Sequence, residues 1–349
     1  MPFRRQSLIA YAAPLCETVA DLPSPQGSEV LVRIARCGVC HSDLHMQDGY
    51  FKMADGKQLD VRAGRELPFT LGHEIAGTIE AAGADGGVEI GGAVAVYPWI
   101  GCGQCPACRA GEENICAAPR HLGINVDGGY ATHVLVPHRR YLLDYAPLSA
   151  AYAGALMCSG LTAYAALKRL AERAARGPIL LVGLGGVGLM GLALARAMFA
   201  TPIFCADIDP NKREAALAAG ADAAFDAGDP GARKDVLKAS GGVHAVCDFV
   251  GSDRSLTFAT GVLAKGGKVV VTGLIGGGYT TAVAMFPLKA MTIEGIMTGT
   301  LAEARELLDV VRAKDIKPPP IAERPLSAAQ ATLEDLRAGR IVGRVVLTM

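Results

Sequence analysis

Cys102, Cys105, Cys108 and Cys116 stand at the spacing C-x2-C-x2-C-x7-C. Four thiolates this close along a chain can wrap one tetrahedral ion, with Zn–S bonds of about 2.3 Å. All four positions of that ion would be protein ligands, which makes the expected site closed and structural. An iron–sulfur cluster is the rival, because C-x2-C-x2-C also occurs in ferredoxins. The fourth spacing of seven and the lack of a Cys-Pro ending count against it.

A second constellation is dispersed. Cys40 lies in Gly38-Val39-Cys40-His41-Ser42-Asp43-Leu44-His45, His73 in Gly72-His73-Glu74, and Cys158 far downstream in an apolar run. Two thiolates and one imidazole leave a fourth position open, which is how a catalytic zinc is built. Taken singly, His73 also reads as a structural histidine and Cys158 as a core thiol.

The third signal is Gly183-Leu184-Gly185-Gly186-Val187-Gly188, a G-x-G-G-x-G turn between an apolar strand and a helix. Its first glycine allows the tight turn, its second lets the backbone approach a pyrophosphate, and its third permits close packing of helix on strand. The helix N-terminus adds unpaired N–H groups and the positive end of its dipole. Asp207 falls at the end of the next strand, where a carboxylate accepts hydrogen bonds from both ribose hydroxyls and repels a 2′-phosphate. Ile208, Asp209 and Pro210 follow it, with no arginine at once, so NAD is expected over NADP.

The elements that must hold these residues are legible as a change of texture. Glu29–Arg36, the AVAVY run after Gly91-Gly92, and Tyr130–Val136 read as strands separated by turns. A long loop spans Asp48 to Pro68, either a lid or a solvated excursion. From Ile179 the chain alternates: strand Ile179–Val182, helix Val187–Met198, strand Ile203–Ala206, helix Pro210–Ala219 closed by Gly220, then strands Val243–Val250 and Lys268–Leu274. Such alternation predicts a doubly wound parallel sheet. Leu301–Ala313 and Ala328–Ala338 read as amphipathic helices. Arg344–Thr348 is a terminal strand with no place in the parallel sheet, so it is expected to return to the first domain.

Composition limits the partners. The 349 residues are enough for two cores, and a mix of 51% hydrophobic and 19% charged residues is that of a globular chain. Lys plus Arg and Asp plus Glu number 34 each, so no excess of positive charge marks a nucleic-acid or anionic-membrane surface. Ile179 to Ala195 carries no charge over seventeen residues, yet five glycines inside it suit a strand–turn–helix better than a membrane span. The N-terminus does not read as a signal peptide, which favours the cytoplasm. Cys16, Cys37, Cys205 and Cys247 read as buried or inert thiols.

In this order, the residues resemble the zinc-dependent medium-chain alcohol dehydrogenase family over nearly the whole chain. Gly72-His73-Glu74-x-x-Gly77, the four-cysteine lobe and the glycine turn carry the likeness. The resemblance implies an α/β protein: a GroES-like, β-rich catalytic domain from residues 1–158 and 297–349, and a Rossmann NAD-binding domain from 159–296. It implies two zinc ions per chain, one catalytic on Cys40, His73 and Cys158 and one structural on the four cysteines, together with NAD(H). Glu74 resembles the carboxylate that tunes the metal, Asp43 the group that orients a histidine ligand, and Ser42 with His45 the proton relay. His41 and Arg344 resemble pyrophosphate contacts, Lys212 an adenosine-ribose contact, and Thr162 a support for the nicotinamide.

Pro98-Trp99-Ile100-Gly101-Cys102-Gly103, Gly128-Gly129-Tyr130-Ala131 and His133-Val134-Leu135-Val136-Pro137-His138 resemble most the 6-hydroxyhexanoate dehydrogenase-like branch. That implies medium-chain primary or secondary alcohols, or ω-hydroxy acids, in a homodimer or homotetramer. Tyr50, Phe51 and Trp99 are the expected pocket wall, and Leu44 and Met297 are expected in the core. The competing readings are a non-catalytic NAD- and zinc-binding scaffold or sensor on the same fold and an iron–sulfur redox carrier.

Overall fold

Val30–Gly38 is the axis of the first sheet in the computed structural model, which describes residues 3–349. Most of its apolar side chains are buried, Val30, Leu31 and Val32 in succession, and Glu74–Ala82 and His133–Val136 pair with it antiparallel. The terminal strand Arg344–Thr348 lies antiparallel to it as well, Val346 opposite Gly38 and Thr348 opposite Arg36, and carries Ile321–Pro325 on its other edge. Ala93–Val96 and Leu142–Asp144 complete the seven-stranded sheet beyond Glu74–Ala82. The orphan strand of the sequence thus pairs where it was expected to.

The second sheet has six strands in the order Ala223–Asp226, Ile203–Asp207, Ile179–Val182, Val243–Asp248, Leu263–Val271, Thr292–Gly295, all parallel. Ile179–Val182 is buried along its whole length, as a central strand covered by helices on both faces must be. The charge-free run from Ile179 is this strand followed by the helix Gly186–Met198.

Two features escape the sequence pattern. The Asp48–Pro68 excursion contains a short hairpin, Tyr50–Lys52 paired with Gln58–Asp60. A continuous helical run also spans Ala150–Ala174, with a π-helical turn at Leu156–Gly160. Ser149 starts it by accepting the Tyr152 N–H, and alanine dominates its first turns. By length and composition alone this run could cross a bilayer, but 89% of that window is buried inside the protein.

Candidate active site

Cys40 stands two residues beyond the end of the axial strand and caps the helix His41–Asp48. Its N–H donates to Asp43 Oδ2 at 2.9 Å, which fixes the turn that aims the thiol. His73 precedes the strand Glu74–Ala82, and Cys158 sits in the π turn. Such bulges often mark functional positions. The Cys40 and Cys158 sulfurs are 3.9 Å apart, and one donor atom from each of Cys40, His73, Glu74 and Cys158 lies within 4.8 Å of the others. A tetrahedral ion with bonds of about 2.3 Å sets its sulfurs about 3.8 Å apart, so the pair fits.

His73 is fully buried, with Nδ1 3.4 Å from Asp43 Oδ1 and Nε2 without any hydrogen-bond partner. A buried ring nitrogen left bare costs about 1–3 kcal/mol, a cost that a bound cation removes. Asp43 is itself held by the Tyr130 hydroxyl at 2.8 Å and the Gly72 N–H at 3.2 Å, so it is a fixed support for the ring. Glu74 pairs its Oε2 with the buried Arg344 guanidinium and leaves Oε1 unpartnered. Burial pushes the Glu74 carboxyl up to about 7, with Arg344 pulling the other way.

The four-cysteine lobe also closes as a cage. Cys102 and Cys108 sulfurs are 4.0 Å apart and those of Cys105 and Cys116 3.8 Å, all four within 4.8 Å of one another. Main-chain N–H groups of Cys108 and Ala117 pull the Cys105 thiol down to about 6, toward the thiolate that binds metal. Glu113 anchors the lobe, accepting the Gly101 N–H at 3.0 Å and the Tyr141 hydroxyl at 2.6 Å. These spacings suit one ion held by four sulfurs.

Between the two sheets lies a cleft of about 1560 Å³. The glycine turn forms its floor. Gly183 has φ of +89°, and a Cβ on Gly188 would stand 1.8 Å from the Gly183 carbonyl oxygen, so both positions require glycine. Gly185, Gly186 and Val187 line the cleft with them, and so do Asp207, Lys212, Thr162, His41 and Arg344. Asp207 Oδ2 accepts the Leu184 N–H at 2.6 Å, which ties the carboxylate to the turn. Ser42, His45, Phe51 and Trp99 line the other side beside Cys40 and Cys158. The His45 ring lies 4.6 Å from Phe51, and Trp99 lies 5.4 Å from His73.

Two expectations need correction. Tyr50 does not line the cleft: it neighbours Phe51 on a strand, where successive side chains point to opposite faces. Met297 is 44% exposed and lines the cleft, because its segment is a crossing between the two sheets and not a core strand; Leu44 is buried as expected. Asp43, His73 and Glu74 are outside the cleft lining. Arg65, Asn114 and His121 line the same cleft, although no motif marks them. Only their proximity to the cysteine lobe and the long loop could have drawn attention to them.

Residues 26–146 match the alcohol dehydrogenase GroES-like domain, and residues 186–313 match the zinc-binding dehydrogenase domain. The chain is 37% identical over 347 residues to an NAD-dependent alcohol dehydrogenase of Sulfurisphaera tokodaii, with 99% of each chain covered. It is 36% identical to one of Saccharolobus solfataricus, again with 99% of each covered. The solved alcohol dehydrogenase of Aeropyrum pernix superposes with a TM-score of 0.88 at 30% identity, covering 99% of this chain and all of that one.

Proposed function

The chain belongs to the zinc-binding, GroES-like alcohol dehydrogenase family, and from that premise we propose that its cleft passes a hydride between an alcohol carbon and NAD at the Cys40–His73–Cys158 centre. The observation that carries this reading is the convergence of a bare, buried imidazole nitrogen with two cysteines that line the cleft floored by the glycine turn. The protein is an NAD-dependent oxidoreductase with zinc as its metal.

Cys40, His73 and Cys158 would hold the catalytic zinc, with Glu74 behind it, and the four-cysteine lobe a structural one. Zinc in such a place is a Lewis acid that polarises an alcohol or carbonyl oxygen. The protein's own groups do the rest. Asp43 orients His73. The glycine turn, His41 and Arg344 receive the pyrophosphate, Asp207 and Lys212 the adenosine ribose, and Thr162 supports the nicotinamide. Ser42 and His45 take the alcohol proton toward solvent. Burial and the neighbouring His41 hold the His45 imidazole below its ordinary value, so at neutral pH it is uncharged and free to accept that proton.

NADH formation from NAD and hexan-1-ol, followed by absorbance on protein of measured zinc content, tests the reading; a zinc-loaded enzyme inert toward alcohols and ketones alike would end it. His45→Gln should cut kcat/KM for oxidation by about tenfold near pH 6. The gap should close at higher pH, where hydroxide replaces the imidazole as acceptor, and both zinc ions should stay. Loss of zinc from that variant would contradict the relay role. Cys105→Ser should lower the melting temperature and the zinc content by one ion while the remaining folded enzyme keeps most of its turnover; an unchanged melting temperature would sink the structural assignment.

Medium-chain alcohols fit the largely apolar walls, and the ω-hydroxy acid reading has one support: Arg65 lines the cleft with its Nη1 unpartnered. We also read the protein as a cytoplasmic oligomer. All ten cysteines are free thiols, which suits a reducing compartment. Thr292–Gly295 is an unpaired sheet edge, and the preceding Val283 and Leu288 are strongly exposed, which suits contact with a second copy.

A further inference from the structure

We propose that His121, together with Asn114, reads a second hydroxyl group on the substrate, so that short diols and similar hydroxylated alcohols are preferred to simple alkanols. This narrows the dehydrogenase reading above and rests on it.

Both side chains line the cleft, both are more than nine-tenths buried, and each ends in an atom without a partner: Nε2 of His121 and Oδ1 of Asn114. His121 is held rigidly. The main chain on either side of it bonds to the Trp99 segment, Arg120 N–H to the Ile100 carbonyl at 2.8 Å and Leu122 N–H to the Pro98 carbonyl at 3.0 Å. Its ring stands edge-on to Trp99 at 5.4 Å, and Trp99 stands at the same spacing from His73. The two imidazoles are therefore no more than about 11 Å apart.

The chemistry of both atoms is settled by their surroundings. Burial holds the His121 imidazole neutral, down at about 4, and its Nε2 has no hydrogen-bond partner. Nε2 of this neutral ring carries either a lone pair or the one ring proton, and in both cases it is satisfied by a single hydrogen-bond partner. Asn114 donates its amide to the Met297 carbonyl at 2.7 Å, which leaves Oδ1 as the free end. Two unpartnered polar atoms in one cleft call for a ligand group that can both donate and accept. A hydroxyl does both and so pairs with Nε2 in either tautomer or with Oδ1, whereas a methyl group leaves both atoms unpaired. An extended four-carbon diol spans about 6 Å between its oxygens, which fits within the separation of the two imidazoles.

The test compares butane-1,4-diol with butan-1-ol on zinc-loaded enzyme with NAD. The expected result is a kcat/KM about tenfold higher for the diol, carried mainly by KM. His121→Leu should erase that preference by weakening the diol alone, and His121→Gln, which keeps an acceptor, should restore part of it. Binding is read without turnover from the fluorescence of Trp99, the chain's one tryptophan, with diol added in the absence of coenzyme; the apparent Kd should rise about tenfold in His121→Leu. Oxidation of both alcohols without preference, or a preference that survives His121→Leu, overturns the proposal and leaves the dehydrogenase standing. Oxidation of neither overturns both.

Discussion

Cys158→Ser should release one of the two zinc ions and lower alcohol oxidation by about a thousandfold or more, with the melting temperature little changed. A Lewis acid supplies several kcal/mol of stabilisation to the charge that develops on oxygen, and each 1.36 kcal/mol is about tenfold in rate. Serine is close to cysteine in shape, so the helical run Ala150–Ala174 keeps its packing, and Ser159 already shows the π turn accommodating a hydroxyl bonded to the Ala155 carbonyl at 2.8 Å. What changes is the donor. A neutral hydroxyl replaces one of two sulfurs 3.9 Å apart, and the bare His73 Nε2 is left with a weaker set. Cys37→Ser is the control. Cys37 is just as buried, on the strand that leads to Cys40, but its sulfur belongs to neither cluster of candidate metal donors. That variant should keep two zinc ions and near-normal rates. Metal analysis beside initial rates decides the matter: two ions and full activity in Cys158→Ser would remove the catalytic role of this cysteine.

What the sequence discloses follows the locality of each signal. The four-cysteine lobe spans fifteen residues and the glycine turn six, so their ligands are neighbours before the chain folds. The Cys40, His73 and Cys158 set is different: 118 residues separate its two sulfurs, and only the pairing of Val30–Gly38 with Glu74–Ala82 and the packing of the π turn bring them together. Family likeness, and not spacing, made that set legible. The parallel sheet could be read from its alternation of apolar strands and helices. The first part of the Ala150–Ala174 helix could not, because unbroken burial from Ala151 to Leu167 erases the polar stripe that gives helices their period. Tyr50 was misplaced because side-chain direction in a three-residue strand depends on a register that the loop hides. His121, Asn114 and Arg65 have no motif at all. Each is an ordinary residue made functional by the wall it lands on, and the unpartnered atom that distinguishes it exists only after folding.

Asp207→Ser should move coenzyme preference from NAD toward NADP by about a hundredfold or more. Two effects add. At about 5 Å and an effective dielectric constant near 20, a carboxylate repels each unit of charge on a 2′-phosphate by about 3 kcal/mol, which alone is roughly a hundredfold. Loss of the charged hydrogen bonds to the ribose hydroxyls weakens NAD as well, by about 1.5–3 kcal/mol. Lys212 lines the same cleft and Arg213 donates to the Asp207 carbonyl at 2.9 Å, so two cations stay close by in the variant, each still paired to a carboxylate of its own, Asp209 and Asp226. The choice of serine follows from what Asp207 does within the protein. Its oxygens accept the Leu184 N–H at 2.6 Å and the Asp209 N–H at 2.9 Å, so it supports the glycine turn and the start of the next helix while keeping lone pairs for ribose. Glycine there would strip both supports and confuse weaker binding of every coenzyme with a change of preference. Serine retains an acceptor for the Asp209 N–H. The measurement is kcat/KM for NAD and for NADP at two salt concentrations. Repulsion by the carboxylate is screened by salt and the hydrogen bonds are not, so the wild-type preference should shrink at high salt and the variant's should not. Equal preference in the two proteins would mean that something other than this carboxylate selects the coenzyme.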